Sequence, residues 1–393
     1  MTDMMQGFPP SEETRVTLAN WRESPFSSWG FSHVREILPT VNIANDRERI
    51  WPLSVDREEL GSLKITDNLT LNGYLDATWT DGFIVIYKGK IVCEEYRNSS
   101  DAGTPHILMS VSKSMLGVLA GILQDNGMLD VTAPVTHYLP EMETTAWKGA
   151  SVQNLLDMRA GIEFSEDYTA TSGAIIEYRK STGWNPLLPG ETPSDLRSFF
   201  QQIKTADGTH QGRFHYVSPN TDLMAWVIER ATNTRYADLM SQHLWQPMGA
   251  GNPAYITVDR FGAPRSAGGM CVTLRDLARV GLLVANGGKR GTQQVIPASW
   301  IHDVFNNGDP KAWEAGDFAS YFPGRDIHYR NKWYIERGDS PMAFCVGIHG
   351  QNMYVLPNEY IVIAKTSSRP GPLDPVVTQL NLHMVAALRH HFK

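Results

Sequence analysis

Cysteine is scarce in this sequence, and long apolar runs are missing. The 393 residues include three cysteines, Cys93, Cys271 and Cys345, which lie far apart and without metal-type spacing. So few cysteines argue against a disulfide framework and fit a reducing compartment. No apolar run reaches the roughly 18 residues of a membrane span, and the first 15 residues lack the apolar stretch of a secretory signal. We therefore expect a cytoplasmic protein with no membrane partner.

Clustered charge and several common catalytic motifs are missing as well. The net charge is −7, from 35 basic and 42 acidic residues, and no block of one sign stands out. Nucleic-acid binding would require a basic stripe, so we expect no nucleic-acid partner. The absence of G-x-S-x-G weighs against an α/β-hydrolase, and the absence of H-E-x-x-H and of paired Cys/His spacing leaves metal catalysis unsupported. We expect no metal ion or organic cofactor, and the sequence leaves a homodimer open.

The chain length and the order of the predicted elements suggest two lobes. Residues 1–75 are rich in Pro, Trp and turn residues, which predicts an irregular N-terminal wrap. Residues 82–97 carry a β-hairpin signal, and residues 342–368 hold two β-rich runs around Pro357-Asn358-Glu359. The stretch between about 130 and 250 is mainly helical. This order predicts a discontinuous α/β domain, 1–130 and 251–393, that carries a helical insertion domain, 131–250.

The segment HILMSVSKSMLGVLAGIL, residues 106–123, is apolar nearly all round and yet contains a lysine. It predicts a buried helix that ends near Gly127. Ser110 would begin this helix at the positive end of its dipole, with Lys113 one turn further on the same face. Apolar surroundings disfavour the charged form of a lysine, so Lys113 could act as a base at neutral pH. The alternative is that Ser110 only caps the helix while Lys113 extends into solvent.

The segment RFHYVSPNTDLMAWVIER predicts a second relevant helix. Ser218 fits the N-cap position and Pro219 the first helical position. Tyr216 therefore directly precedes a helix and could project into a cleft, where its phenol could relay a proton. Considered alone, Tyr216 fits an ordinary half-buried aromatic residue better than a proton relay.

S-V-S-K followed by Y-V-S about a hundred residues later resembles the serine-reactive β-lactamase and penicillin-binding-protein superfamily, and most closely its class C β-lactamase and esterase branch. SAGGMCVTLRDLARVGLLVANGG, residues 266–288, is similar to the pattern that follows in that branch. LMSVSKS, the EDY loop and GIHGQN resemble the 6-aminohexanoate-dimer hydrolases, which cut nylon oligomers. The resemblance covers about residues 80–390. It implies an α+β fold with a mixed antiparallel sheet, flanking helices and a mainly helical lobe.

The resemblance also implies roles for individual residues. Ser110 would be the nucleophile, Lys113 the base and Tyr216 the proton relay. The backbone N–H groups of Ser110 and Val346 would bind the oxyanion, and Tyr168 in EDYTA would contact the substrate.

Four further residues are candidates for substrate binding: Ser218, Trp184, Trp333 and His349. Trp333 precedes the strand expected to line the cleft, although core packing would explain it equally well. His349 lies in the apolar stretch CVGIHGQNMYV, where a structural histidine bonded to backbone is the favoured interpretation.

The sequence departs from the family pattern at two places. The strand that carries Lys-Thr-Gly in β-lactamases here runs from Phe344 to His349 without that triplet, which puts β-lactam recognition in doubt. Nylon-dimer hydrolases are expected to meet the substrate ammonium with an acid, but Tyr178-Arg179-Lys180 stands ahead of Gly183-Trp184 here. This basic cluster suits an acidic or neutral substrate better, although it would also fit a solvated loop.

The combined interpretation is a serine hydrolase that cleaves small esters or linear amides, 6-aminohexanoate oligomers among them, through a Ser-Lys-Tyr acyl-enzyme mechanism. The alternatives are a β-lactamase or D-Ala peptidase, and a non-catalytic binding protein that is acylated at Ser110.

Overall fold

The computed structural model describes residues 4–98 and 100–393. The strands, β1 to β16, are Thr40–Ile43, Ser54–Val55, Lys64–Thr66, Leu69–Thr70, Thr80–Tyr87, Lys90–Tyr96, His106–Ile107, Ala254–Thr257, Met270–Val272, Lys289–Arg290, Gln293–Gln294, Ile327–Arg330, Trp333–Glu336, Met342–Gly347, Gln351–Leu356 and Ile361–Ser367. The α-helices, α1 to α14, are Ser27–Gly30, Leu71–Ala77, Val111–Asp125, Val135–Tyr138, Val152–Leu156, Ala174–Ser181, Leu196–Phe200, Pro219–Thr232, Tyr236–Met240, Gln246–Met248, Leu274–Ala285, Ala298–Asn306, Pro310–Glu314 and Pro375–His391.

One eight-stranded sheet organises the molecule. Its strand order is β12-β13-β14-β15-β16-β5-β6-β2, and every neighbouring pair is antiparallel except β2 and β6. A smaller sheet has the order β1-β8-β9-β7. The predicted hairpin is confirmed as β5 and β6, which are joined at Lys88 and Gly89, both with positive φ. The mixed, mainly antiparallel sheet with flanking helices is the architecture that the sequence predicts.

The two faces of the large sheet belong to separate apolar clusters, because successive side chains of a strand point to opposite faces. On β16, Val362 and Ala364 belong to the cluster that contains α3 and α11, whereas Ile361 and Ile363 belong to the cluster that contains α14. The sheet is therefore covered on both sides, and α3 lies on the first.

The segment 342–368 forms three strands rather than the predicted two. The run CVGIHGQNMYV is broken between β14 and β15, where His349 has φ 63° and Gly350 has φ 96°. These positive φ values reverse the chain inside an apolar run that has no other turn signal, so the pattern of apolar residues did not reveal the turn.

Between residues 131 and 250 the structure has helices and no strand, as predicted. Residues of this segment share one large apolar cluster with α3 and the sheet, so the core is continuous across the expected boundary. The division into two domains stays a prediction. Residues 4–75 hold only short elements, as expected of a wrap. None of the helices in the described ranges has the length and apolar character needed to cross a bilayer.

Helix α3 packs closely against its neighbours through two glycines one turn apart. A Cβ on Gly117 would overlap the backbone carbonyl of Asn331, and a Cβ on Gly121 would overlap the ring of Trp300. Trp300 Nε1 donates to the Gly117 carbonyl over 3.0 Å. Because backbone and ring lie directly on the helix, these contacts fix the position of α3 in the core.

Gly117→Ala should therefore destabilise the fold by about 2–3 kcal/mol, since the Asn331 backbone cannot move aside as a flexible side chain can. Urea unfolding followed by circular dichroism measures this. Gly73→Ala in α2 is the matched control: the nearest atom to its Cβ would be the Cδ1 methyl of the flexible Leu69 side chain, at 3.0 Å, and alanine favours a helix by up to about 1 kcal/mol. Equal stability of the two variants would contradict the packing argument.

Candidate active site

Ser110 lies at the start of α3, and its hydroxyl does not cap the helix. The preceding residue, Met109, has φ 46°, so the chain turns sharply into the helix. Ser110 is the N-cap residue, but its side chain makes no capping hydrogen bond. Within the described part of the chain, no acceptor is bonded to its backbone N–H. The hydroxyl and the N–H are thus both available to a ligand, beside the positive end of the helix dipole.

Lys113 is buried and its amine contacts the Ser110 hydroxyl. Lys113 Nζ lies 2.8 Å from Ser110 Oγ and 2.7 Å from the Ala267 carbonyl oxygen, and the residue is 1% exposed. Burial lowers the pKa of Lys113 from 10.5 to about 7. A large share of the amine is therefore neutral at neutral pH. The alternative in which Lys113 extends into solvent does not agree with this geometry.

The other two serines of this segment serve the packing of α3. The Ser112 hydroxyl accepts a hydrogen bond from Met270 N over 3.2 Å, and the Ser114 hydroxyl donates to the Lys332 carbonyl over 2.7 Å. Both satisfy backbone groups of neighbouring segments.

The acceptor of the lysine, Ala267, is held by a buried carboxylate on α8. Asp222 Oδ1 accepts from Ala267 N over 2.7 Å and from the Ser266 hydroxyl over 3.1 Å, while its Oδ2 lies 2.5 Å from Arg265 Nη1. Burial lowers the pKa of Arg265, but Asp222, Tyr178 and Glu166 together more than offset this and the pKa is raised overall. Asp222, which sequence reasoning missed, therefore fixes the loop that orients Lys113.

Tyr216 comes within reach of both residues. Lys113 Nζ lies 4.9 Å from the centroid of the Tyr216 ring. Burial raises the pKa of Tyr216, while a hydrogen bond with Ser110 acts in the opposite direction. Tyr216 N donates to Asp317 Oδ2 over 2.8 Å, which fixes the backbone before α8. The structure thus brings Ser110, Lys113 and Tyr216 together, with the phenol protonated at neutral pH.

Glu166 is a second residue that sequence reasoning missed, although it belongs to the EDY loop. Its carboxylate accepts from Ser218 N over 2.8 Å and from the Ser218 hydroxyl over 2.5 Å. Ser218 is the N-cap of α8, as predicted, but its hydroxyl is directed to Glu166 rather than to the helix. Burial, and then the Glu166 carboxylate, raises the pKa of Tyr168.

The strand β14 approaches Ser110 from the other side. Strand β13 pairs with β14 only as far as Phe344, which leaves the end of β14 with an open edge beside the site. A Cβ on Gly347 would lie 2.7 Å from the Leu108 carbonyl oxygen and 3.1 Å from Ser110 N. Only glycine permits this approach. Gly347 was not among the predicted site residues, because a single glycine in a strand gives no sign of what it contacts.

A mostly aromatic cavity of about 470 Å³, open to solvent, lies in front of the Ser110 hydroxyl. Of the described residues that line it, none is charged: they are Ser110, Tyr168, Tyr216, Phe318, Tyr321, Phe322, Tyr334, Val346, Ile348, Leu373 and Thr378. Tyr168, a predicted substrate contact, and Val346, a predicted oxyanion donor, are therefore at the cavity wall. The aromatic residues from the loop after α13 were not predicted.

The structure does not bring the remaining candidates to this wall. Trp333 is buried in the core on the opposite face of β13 from Tyr334, which does line the cavity. Trp184 is buried against Trp21 and donates to the Thr257 hydroxyl over 3.1 Å.

The contacts of His349 agree with the structural role favoured in the sequence analysis. Its Nδ1 lies 2.8 Å from the Arg369 carbonyl oxygen, and burial lowers its pKa to about 4. The neighbouring Ile348 lines the cavity in its place.

Comparisons with known proteins show which proteins this chain resembles. The family model described as beta-lactamase matches residues 76–387. The chain is 35% identical over 366 residues to a 6-aminohexanoate-dimer hydrolase of Paenarthrobacter ureafaciens, covering 93% of this chain and 91% of that protein.

Solved structures share the fold. One from Bacillus anthracis, assigned provisionally as a 6-aminohexanoate-dimer hydrolase, superposes with a TM-score of 0.87 at 24% identity, covering 97% of this chain and 98% of that one. EstCE1, a hydrolase with promiscuous acyltransferase activity, gives a TM-score of 0.61 at 15% identity, covering 81% and 96%. The predicted fold class is confirmed.

Gly347→Ala should slow labelling of Ser110 by a fluorophosphonate probe about 10- to 100-fold, because the added methyl displaces the backbone beside the nucleophile. Labelling rates followed by mass spectrometry measure this, and a thermal melt checks that the variant is folded. Gly89→Ala, in the β5–β6 turn where a Cβ would have no neighbour within 4 Å, should label at the parent rate. A folded Gly347→Ala that labels equally fast would contradict the contact.

Proposed function

The chain belongs to the beta-lactamase family, and from that premise we propose that it hydrolyses small carboxylic esters or linear amides through an acyl-enzyme on Ser110. Membership makes it a hydrolase of the amidase and esterase type. The observation that carries the finer proposal is the 2.8 Å contact between the buried Lys113 amine and the Ser110 hydroxyl.

Acylation begins when the neutral Lys113 amine removes the Ser110 proton while Oγ attacks the substrate carbonyl. The amine keeps its hydrogen bond to the Ala267 carbonyl during this step, so its lone pair stays directed at the hydroxyl. The Ser110 N–H, with a backbone N–H near Val346, would stabilise the oxyanion. A backbone donor does not depend on side-chain identity, which is why the missing Lys-Thr-Gly triplet is compatible with this step.

Tyr216 then transfers a proton to the departing amine or alcohol. Its raised pKa favours the protonated phenol, so it enters the step as an acid and not as a phenolate. Lys113, now an ammonium, lies beside the ring and can return a proton to the phenol. Water cleaves the acyl-enzyme through the same groups in reverse order.

The uncharged cavity lining supports a substrate with an apolar group next to the reacting carbonyl. Burying such a group against aromatic side chains is favourable by about 25 cal/mol for each Å² of apolar surface. The lining offers no charged side chain to a β-lactam carboxylate. Ester or amide hydrolysis is therefore the better-supported chemistry, and 6-aminohexanoate oligomers are one set of amides to test.

Ser110→Ala should reduce hydrolysis of p-nitrophenyl acetate to the uncatalysed background, because alanine has no hydroxyl with which to form the acyl-enzyme. Steady-state release of p-nitrophenol measures it, with a thermal melt to confirm folding. Turnover near the parental rate would exclude Ser110 as the nucleophile. In the parent protein, one stoichiometric burst without a steady state would instead identify an acylated binding protein.

Tyr216→Phe should lower kcat about 10²-fold or more, because the ring remains and only the proton relay is lost. Tyr360→Phe, at an exposed position remote from the cavity, is the matched control and should keep the parental kcat. Equal rates for the two variants would remove the phenol from the mechanism.

The pH dependence of kcat/KM should follow the Lys113 amine. Only the neutral amine can accept the proton, so the rate should rise about tenfold per pH unit below an apparent pKa of about 7 and level off above it. Stopped-flow assays between about pH 5 and 9, corrected with Ser110→Ala as the blank, measure this. A profile that is flat through neutrality would contradict a lysine base.

A further inference from the structure

The segment that carries Tyr216 lies against the segment that contains and follows α13. Phe214 N donates to the Ala312 carbonyl over 2.8 Å. A Cβ on Gly316 would lie 2.6 Å from the Phe214 carbonyl oxygen, so only a residue without a side chain permits this approach. Two segments that are distant in the sequence are therefore in contact directly before the phenol.

The Asp317 carboxylate is the polar contact between these two segments. Its Oδ2 accepts from Tyr216 N over 2.8 Å and lies 2.9 Å from His215 Nδ1, while its Oδ1 accepts from Arg213. Burial acts to raise the pKa of Asp317, but the contacts with His215, Tyr216 N and Arg213 together more than offset this, and the pKa is lowered overall. An ionised carboxylate therefore accepts the Tyr216 N–H, and such charge-assisted hydrogen bonds are stronger than neutral ones.

His215 fixes the orientation of this carboxylate. Its Nε2 lies 3.1 Å from the Ile162 carbonyl oxygen, and its backbone N–H donates to the Met158 carbonyl over 2.8 Å. The imidazole is 8% exposed, so it has little room to change position. The Oδ2 atom that it shares with Tyr216 N is held in place as a result.

The next residue, Phe318, holds the ring of Tyr216. The two ring centroids lie 4.9 Å apart at an interplanar angle of 47°. Both rings line the cavity in front of Ser110, and both also line a second cavity of about 650 Å³ that His215 and Asp317 line as well. Two consecutive residues thus contact Tyr216, one at its backbone and one at its ring.

This arrangement matters because the Tyr216 ring lies between two cavities. A cavity removes the packed atoms that would otherwise restrict a side chain. Proton transfer nevertheless requires the phenol oxygen to stay within hydrogen-bond reach of the departing atom, and a displacement of about 1 Å can cost about 10²-fold in rate. The restraint on the ring must therefore come from the few groups that do contact this residue.

We propose that Asp317 is a positioning residue for the proton relay: it holds the backbone of Tyr216 while Phe318 holds the ring, and the phenol stays aligned with the leaving group. This inference rests on the proposed function, because it takes Tyr216 as the relay. Asp317 acts only through Tyr216. Its loss should therefore matter most for a leaving group that needs a proton in order to depart.

Two acetates of similar shape, p-nitrophenyl acetate and p-methoxyphenyl acetate, test the proposal through kcat/KM, which includes the departure of the leaving group. The p-nitrophenolate ion is a weak base and departs without much help from an acid, whereas p-methoxyphenolate is a stronger base. Asp317→Ala should lower kcat/KM about tenfold or more for the methoxy ester and only about two- to threefold for the nitro ester. Asp317→Leu, which fills the same space without an acceptor, should give the same change and is the second variant if the alanine variant folds poorly.

A conservative variant separates the hydrogen bond from the charge. Asp317→Asn can keep its oxygen at the position shared by Tyr216 N and His215 Nδ1 and turn its amide nitrogen toward Arg213. Arg213 retains a carboxylate partner, Asp207, at 2.7 Å. This variant should therefore restore the parental ratio of the two kcat/KM values to within about threefold.

Asp309→Ala is the matched control at the other end of α13. The Asp309 carboxylate caps this helix by accepting from Lys311 N over 3.0 Å and from Ala312 N over 3.1 Å. Its loss should lower the melting temperature, because a helix cap is removed. The ratio of kcat/KM for the two esters should stay at the parental value.

A double variant tests whether Asp317 acts through the phenol. In a Tyr216→Phe background the relay is already lost, so adding Asp317→Ala should leave the ester ratio where Tyr216→Phe alone places it. A further change of the ratio in the double variant would show that Asp317 acts elsewhere and would overturn the proposal.

Three other outcomes would also overturn it. Asp317→Ala and Asp317→Leu that slow both esters by the same factor would identify a purely structural carboxylate. An equal change of the ratio in Asp309→Ala would show that the ratio reports general loosening of this region. Asp317→Asn that is as impaired as Asp317→Ala would show that the hydrogen bond to Tyr216 N is not what matters.

The proposed function and this inference fail separately. A parental ester ratio in Tyr216→Phe would contradict the proton relay itself. A changed ratio in Tyr216→Phe together with a parental ratio in Asp317→Ala would contradict only the positioning role.

Discussion

The contact of a buried amine with one hydroxyl and one carbonyl is the constraint on which the whole site depends. Lys113 is surrounded by the apolar core that α3 enters, so water cannot solvate its charge. An exposed lysine, with a pKa near 10.4, would be almost fully protonated at neutral pH and useless as a base. The chemistry proposed for Lys113 therefore requires the same packing that buries α3.

That requirement explains why distant segments meet at the site. Burying the amine needs a fixed acceptor, which is the Ala267 carbonyl, and the loop of Ala267 needs Asp222 from α8. The same helix follows Tyr216, whose backbone is tied to Asp317. Asp222 thus links the helical segment to the lysine, and losing it would disturb the base and the relay together.

Sequence reasoning found the features that are local and missed those that depend on tertiary contact. A few neighbouring residues set the start of α3, the S-x-x-K spacing and the turn before α8. The sequence pattern therefore predicted Ser110, Lys113 and Tyr216 as site residues. Glu166 and Asp222 were missed because their partners lie 52 and 45 residues away in the sequence. Trp333 and His349 were each one residue away from a true lining residue. On β13, adjacent residues face opposite sides, and the sequence does not indicate which side is the cavity. His349 lies in the turn after β14, which the pattern of apolar residues did not reveal.

The same geometry determines which functions of the site depend on the backbone and which depend on side chains. At the end of β14, the site depends on an open strand edge, which any side chain allows, and on the close approach of Gly347, which requires that there be no side chain. Reaction and recognition can then change independently. In the proposed mechanism, the groups that act on the carbonyl belong to α3, β14 and the residues before α8, whereas the aromatic residues after α13 line the cavity that would receive the rest of the substrate.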